Sequence, residues 1–148
     1  MGEDTLPVPP VREVVVGPEV AEAEFNRFAD AMDLDVDENA MDVEDRASFS
    51  KHKRRLTRAI EQGILVINDD GEAVLTPGNK SSAYTDPITF HERTGAALMA
   101  MDGKKAGQDV RKMYAVMGEL AKVHPSVFSR LAGSDIKICE SLFVLLMD

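Results

Sequence analysis

The spacing of apolar residues changes abruptly at Gly63, and no other feature constrains the fold of this 148-residue chain as strongly. Residues 64–67 are all apolar, residues 68–71 are Asn-Asp-Asp-Gly, and residues 73–76 form a second short, mostly apolar run. Two such runs joined by an Asp-Gly turn are typical of an antiparallel β-hairpin. Apolar and polar residues alternate over residues 88–91, directly after a proline, so we expect a third strand there.

Elsewhere, apolar residues recur every three or four positions, which predicts helices. Pro18 suits the first turn of one helix, and Gly63 is a stop signal for the next. Thr94 and Ser134 are candidate N-terminal caps, and Gly118 lies inside a helical stripe where close packing is expected. The predicted helices cover residues 19–32, 46–62, 95–102, 108–123, 125–132 and 134–147. The fold class is therefore α+β, mainly helical, with a small antiparallel sheet formed by the hairpin and the third strand.

Acidic charge is concentrated in the N-terminal third of the chain. The net charge of −9 comes from 26 acidic and 17 basic residues, and residues 1–48 alone hold 14 acids and three bases. Residues 1–18 contain four prolines, which predicts a flexible, Pro-rich arm. We expect residues 19–148 to form one mostly helical domain. Its predicted parts are an acidic helix and linker (19–45), a helix (46–63), a small sheet (64–91) and a helical part (94–148).

Composition argues against several classes of protein. No apolar run approaches the roughly 18 residues of a membrane span. The first ten residues have neither the basic nor the apolar segment of a secretory signal, so we expect a cytoplasmic protein that binds no membrane. Cys139 is the one cysteine, which excludes an internal disulfide. Its position on an apolar helix predicts a small buried hydrophobe rather than a nucleophile.

The acidic linker 33–45 has part of the spacing of a calcium-binding loop. Asp33, Asp35, Asp37 and Glu44 would take loop positions 1, 3, 5 and 12. Glu38, however, stands at position 6, where the sharp turn of the loop requires glycine. We therefore predict a solvated linker without a tight metal site, and keep a calcium-binding helical module as an alternative function.

The basic run Lys51–Arg58 lies on the second predicted helix. We expect it to face water and to pair with the acidic linker, and a small nucleic-acid or transcription adaptor is the alternative. His91 begins a sequence like that of zinc hydrolases, but the second histidine is replaced by Gly95. No convincing catalytic constellation is present, so we expect no enzyme activity and no cofactor.

The segment Asp86–Asp102 (DPITFHERTGAALMAMD) resembles a characteristic stretch of tail assembly chaperones from long-tailed bacteriophages, a strand followed by a Gly-Ala-x-Leu helix start. The following elements are similar in kind: a Met-rich helix, a short segment beginning at Pro125, and a closing apolar helix. The resemblance covers about residues 64–148, and the order of elements carries it. It implies a non-enzymatic phage or prophage protein that binds the tape-measure protein, the tail tube protein or both during tail assembly, in the cytoplasm of the bacterial host.

The final predicted helix is apolar on most sides near its end, and its large side chains cannot share one apolar stripe of about 100°. Either the helix is enclosed by its own domain, or part of it contacts a partner or a second copy of the chain. Met-rich helical faces suit adaptable protein contacts as well. The candidate protein-interaction residues are Leu142, Phe143, Leu145, Leu146, Met113 and Met117.

Overall fold

The computed structural model of the chain describes residues 16–101 and 109–147, and its fold is mainly helical α+β, as predicted. All but the last three residues of the predicted Pro-rich arm lie outside the described residues. Two short 3₁₀ segments, Glu38–Ala40 and Pro125–Arg130, accompany the main elements. These elements are α1 (Pro18–Ala31), α2 (Val43–Glu61), β1 (Leu65–Ile67), β2 (Ala73–Leu75), β3 (Ile88–Phe90), α3 (Gly95–Met101), α4 (Asp109–Ala121) and α5 (Gly133–Met147).

The three strands form one antiparallel sheet in the order β1-β2-β3, which confirms the hairpin and the third strand. Leu65 pairs with Leu75, and Leu75 in turn pairs with Ile88. Side chains alternate across the sheet, so one face enters the core while Val66 on the other face is 53% exposed. Residues buried on the core face are Leu65, Ile67, Ala73, Leu75, Ile88 and Phe90.

The hairpin turn is held against α1 by Arg27. Its guanidinium donates hydrogen bonds to the backbone oxygens of Ile67 (2.7 Å) and Asn68 (2.6 Å), and Glu24 binds it from the same helix at 2.8 Å. Gly71 completes the turn with a φ of +83°, and a Cβ there would overlap the Cβ of Ala31. The turn therefore needs glycine both for its backbone conformation and for its contact with α1.

Side-chain caps and a glycine define several helix ends. Asp42 begins α2, because its carboxylate accepts the backbone N–H of Asp45 at 2.7 Å, and the helix consequently starts three residues earlier than predicted. Gly63, with a φ of +76°, follows the end of α2 as expected. The predicted Thr94 cap is confirmed, since its hydroxyl accepts the N–H of Ala97 at 3.2 Å.

The predicted Ser134 cap is wrong. Ser134 lies inside the first turn of α5, and the next residue, Asp135, has a fully buried carboxylate. That carboxylate accepts hydrogen bonds from the backbone N–H groups of Gly78 (3.1 Å) and Asn79 (3.2 Å) and from the hydroxyl of Ser82 (2.6 Å). The loop that follows the hairpin therefore supplies the donors that the buried Asp135 carboxylate needs, and it holds the first turn of α5 in place.

Helix α5 packs against both α2 and α4 in the centre of the core. Cys139 is buried there, as predicted, and burial raises the pKa of its thiol, so it is no thiolate nucleophile at neutral pH. The expected close packing at Gly118 is also confirmed: a Cβ at this position would stand 2.8 Å from the backbone oxygen of Val123.

We predict that Gly71→Ala lowers the free energy of unfolding by about 2 kcal/mol or more, because a left-handed backbone and a steric overlap both act against it. Gly95→Ala is the matched control: nothing lies within 4 Å of a Cβ at Gly95. Urea unfolding of both variants measures the difference. Equal stability of the two variants would show that the hairpin turn is not seated on α1 as described.

Candidate protein-binding surfaces

The structure places most of the predicted interaction residues in the core. Leu142 and Met117 are fully buried, Leu145 and Leu146 are 8% and 3% exposed, and Phe143 is half-buried. Met113 is half-buried as well. Helix α5 is thus largely enclosed by its own domain, and the contact of these six residues with a partner stays a prediction.

Large apolar side chains are exposed on α3 and α4 instead. Leu98 is 49% exposed, Met99 78% and Val110 58%, and the two helices that carry them pack against each other. We call these three residues the α3–α4 apolar surface. The sequence holds a signal for it: residues 95–101 contain no charged side chain, yet only Ala97 of this short helix is buried.

A groove of about 420 Å³ opens on another part of the molecule. The linker after α1, the first half of α2, the two residues Glu92 and Arg93 after β3, and the last turn of α5 form its walls. This volume lies within the range of about 300–1,000 Å³ that is typical of ligand pockets. Its apolar lining consists of Met32, Leu34, Ala40, Met41, Phe49, Val144, Leu145 and Leu146.

Acidic side chains surround this groove. Asp33, Asp35, Asp45 and Glu92 line it and are exposed, and Arg93 is the one basic side chain with a permanent charge among its lining residues. We call the whole feature the acidic groove. Two of the candidate interaction residues from the sequence, Leu145 and Leu146, line its apolar part, so the end of α5 does face a concave surface.

The acidic linker is ordered by its own hydrogen bonds. Asp37 accepts the backbone N–H of Asn39 at 3.0 Å, and Arg46 donates to the backbone oxygens of Glu38 and Met41, both at 3.1 Å. Within residues 16–101 and 109–147, no group of three His, Cys, Asp or Glu side chains is placed to hold a metal ion. The structure therefore adds no support to a calcium-binding module.

Two members of the basic run bind other helices, and the expectation that they pair with the acidic linker is wrong. Lys53 forms an ion pair with Glu22 of α1 at 2.6 Å and lies over the ring of Phe25. Arg55 donates to the backbone oxygen of Lys137 and to the hydroxyl of Ser141 on α5. The reason is geometric, since α2 presents these residues to the helices that pack on either side of it.

A buried histidine that lines the acidic groove joins α2 to α5. His52 is 9% exposed, and its Nδ1 lies 2.8 Å from the hydroxyl oxygen of Ser141, which also accepts from Arg55. Burial lowers the pKa of His52, and the positive charges of Arg55 and Lys51 lower it further. A neutral ring accepts the Ser141 hydroxyl proton at Nδ1, so this pair does not need a charged histidine.

The histidine that begins the zinc-hydrolase-like sequence has a local role. Nδ1 of His91 lies 2.6 Å from a carboxylate oxygen of Glu72, and this hydrogen bond lowers the pKa of Glu72. The pair connects the end of β3 to the hairpin. Ring and carboxylate are both partly buried, which is the setting of a structural contact across the sheet.

No family model, curated protein or solved structure matches this chain. Among the described helices, none is both long enough and apolar enough to cross a bilayer.

We predict that the protein loses stability as the pH falls below about 6.5, and that His52 causes part of the loss. Because the pKa of His52 is lower in the folded state than its ordinary value of 6.5, the unfolded chain takes up this proton first. The contribution of His52 to the free energy of unfolding is therefore complete above its ordinary pKa of 6.5, and it is lost as the pH falls through the pKa of the folded state. Urea unfolding at a series of pH values measures the slope.

Substitution identifies the group responsible for this slope. His52→Gln should reduce the slope between about pH 7 and pH 5. A slope that persists unchanged in His52→Gln would assign the acid sensitivity to other groups.

Proposed function

We propose that this protein is a non-enzymatic assembly protein that binds another protein through the α3–α4 apolar surface. The exposure of Met99 and Val110, at 78% and 58%, is the observation that carries the proposal. Exposed apolar side chains on two packed helices remain in contact with water until a partner covers them, so their burial favours association. Methionine adds flexibility, which suits a surface that must fit a partner of irregular shape.

The resemblance to phage tail assembly chaperones supports the same surface. The segment Asp86–Asp102, which carries the resemblance, also includes helix α3 with Leu98 and Met99. The partner that the resemblance implies is the tape-measure protein, the tail tube protein or both. Under this proposal the chain acts in the cytoplasm of a bacterial host, where tails are assembled.

The proposal is tested by co-expressing the full chain with the tape-measure and tail tube proteins of a phage or prophage genome that encodes it, and purifying through a tag on this chain. We expect at least one of them to co-purify at defined stoichiometry. The double variant Met99→Gln/Val110→Gln should reduce the yield of that complex at least tenfold, because it removes about 1.4 kcal/mol or more of apolar burial. Its free energy of unfolding should change by no more than about 0.5 kcal/mol per exposed site.

A control variant separates this effect from general surface hydrophobicity. Val20 and Val66 are 50% and 53% exposed on α1 and on the outer face of the sheet. Val20→Gln/Val66→Thr should leave the complex intact. The proposal fails if neither phage protein binds the folded chain, or if the two double variants weaken the complex equally.

A further inference from the structure

We propose that the acidic groove is a second docking site, which takes an apolar side chain flanked by lysine or arginine from a helical segment of a partner protein. The inference rests on the proposed function only in that the occupant belongs to a partner protein. The α3–α4 apolar surface and the acidic groove share no residue, so they can be tested separately.

The floor of the groove defines the apolar part of this partner. Phe49, Leu145 and Leu146 are buried by the chain itself, and each still lines the cavity. Met32 and Leu34 complete an aliphatic wall. A leucine, methionine or phenylalanine side chain that enters this space exchanges water for apolar contacts on several sides.

The rim defines the charge of the partner. Four exposed carboxylates, on Asp33, Asp35, Asp45 and Glu92, surround the opening, against one guanidinium on Arg93. Acidic residues beside a cavity with an apolar floor attract cations and repel acidic segments, and they act on the encounter as well as on the complex. An anionic ligand such as a phosphate group is therefore a poor fit, whereas a basic amphipathic helix meets both the floor and the rim.

The backbone of the linker keeps these carboxylates at the rim. Asp33 has a φ of +56°, a left-handed conformation that aspartate and asparagine adopt more easily than most residues. Asp35 accepts the N–H of Asp37 at 3.2 Å, and Arg46 ties the following 3₁₀ turn to α2. The acidic side of the groove is thus formed before a partner arrives, which reduces the ordering cost of binding.

The test uses two synthetic amphipathic peptides of about four helical turns, identical except for the flanking charges. Both carry leucines on one face; one has lysines beside them and the other has glutamates. Each peptide is titrated into the isotopically labelled full chain while amide signals are followed by NMR. We expect the lysine peptide to shift signals of residues 33–35, 45–52, 92–93 and 144–146, and the glutamate peptide to leave them unchanged.

Neutralising the rim carboxylates should lower the affinity for the lysine peptide about tenfold, which corresponds to the loss of two or three surface ion pairs. Each change keeps side-chain size, and asparagine tolerates the left-handed backbone of Asp33. A control variant removes four exposed carboxylates elsewhere on the surface and should bind like the wild type. The test variant is Asp33→Asn/Asp35→Asn/Asp45→Asn/Glu92→Gln, and the control is Glu19→Gln/Asp70→Asn/Asp86→Asn/Glu119→Gln.

A single exposed substitution gives an independent check. Ala40→Arg places a cation at the groove, at an exposed position outside the core. It should lower the affinity for the lysine peptide, while the circular dichroism spectrum stays that of the wild type. The inference is overturned if the lysine peptide does not bind, if both peptides bind equally, or if signals shift only around the α3–α4 apolar surface. Binding of the lysine peptide without co-purification of either phage protein would support the groove and refute the proposed function. Co-purification of a phage protein without binding of the lysine peptide would refute the groove as a docking site and leave the proposed function intact.

Discussion

The buried carboxylate of Asp135 joins the loop after the hairpin to the last helix, whose far end lines the acidic groove. It binds the loop after the hairpin through two backbone N–H groups and through Ser82, whose hydroxyl oxygen also accepts the N–H of Ala132 at 2.7 Å. A buried charge is tolerated only with such partners. Because Asp135 lies in the first turn of α5, the helix starts at a fixed place and its far end reaches the acidic groove.

The sequence predicted those elements whose causes are local. The turn ending at Gly71, the stop at Gly63 and the cap at Thr94 each depend on a few neighbouring residues, and the structure has all three. Contacts between distant residues were not predicted. The partners of Asp135 and Lys53 lie more than 30 residues away in the sequence, and no neighbouring residue indicates which they are. The final turn of α5 was correctly singled out as apolar, but periodicity alone does not show how much of it the domain itself encloses.

Because the domain itself encloses α5, most of the large apolar side chains of this helix are not accessible to a partner. Met99 and Val110 keep large apolar side chains in water on α3 and α4; α4 packs against α5, and α3 packs against α4. Residues of α5 that escape full enclosure, such as Val144, line a groove whose rim is acidic. The same core thus presents both an apolar surface and a groove with acidic side chains.

The most direct test of this account is the free energy of unfolding of Asp135→Asn, measured in urea beside the exposed control Asp86→Asn. Asparagine has the same shape but turns one acceptor into a donor that faces other donors. We expect Asp135→Asn to lose about 2–4 kcal/mol, because buried hydrogen bonds to a charged group are lost and donors stay unpaired. The control should change by no more than about 0.5 kcal/mol. Equal stability of the two variants would contradict the claim that this carboxylate fixes α5.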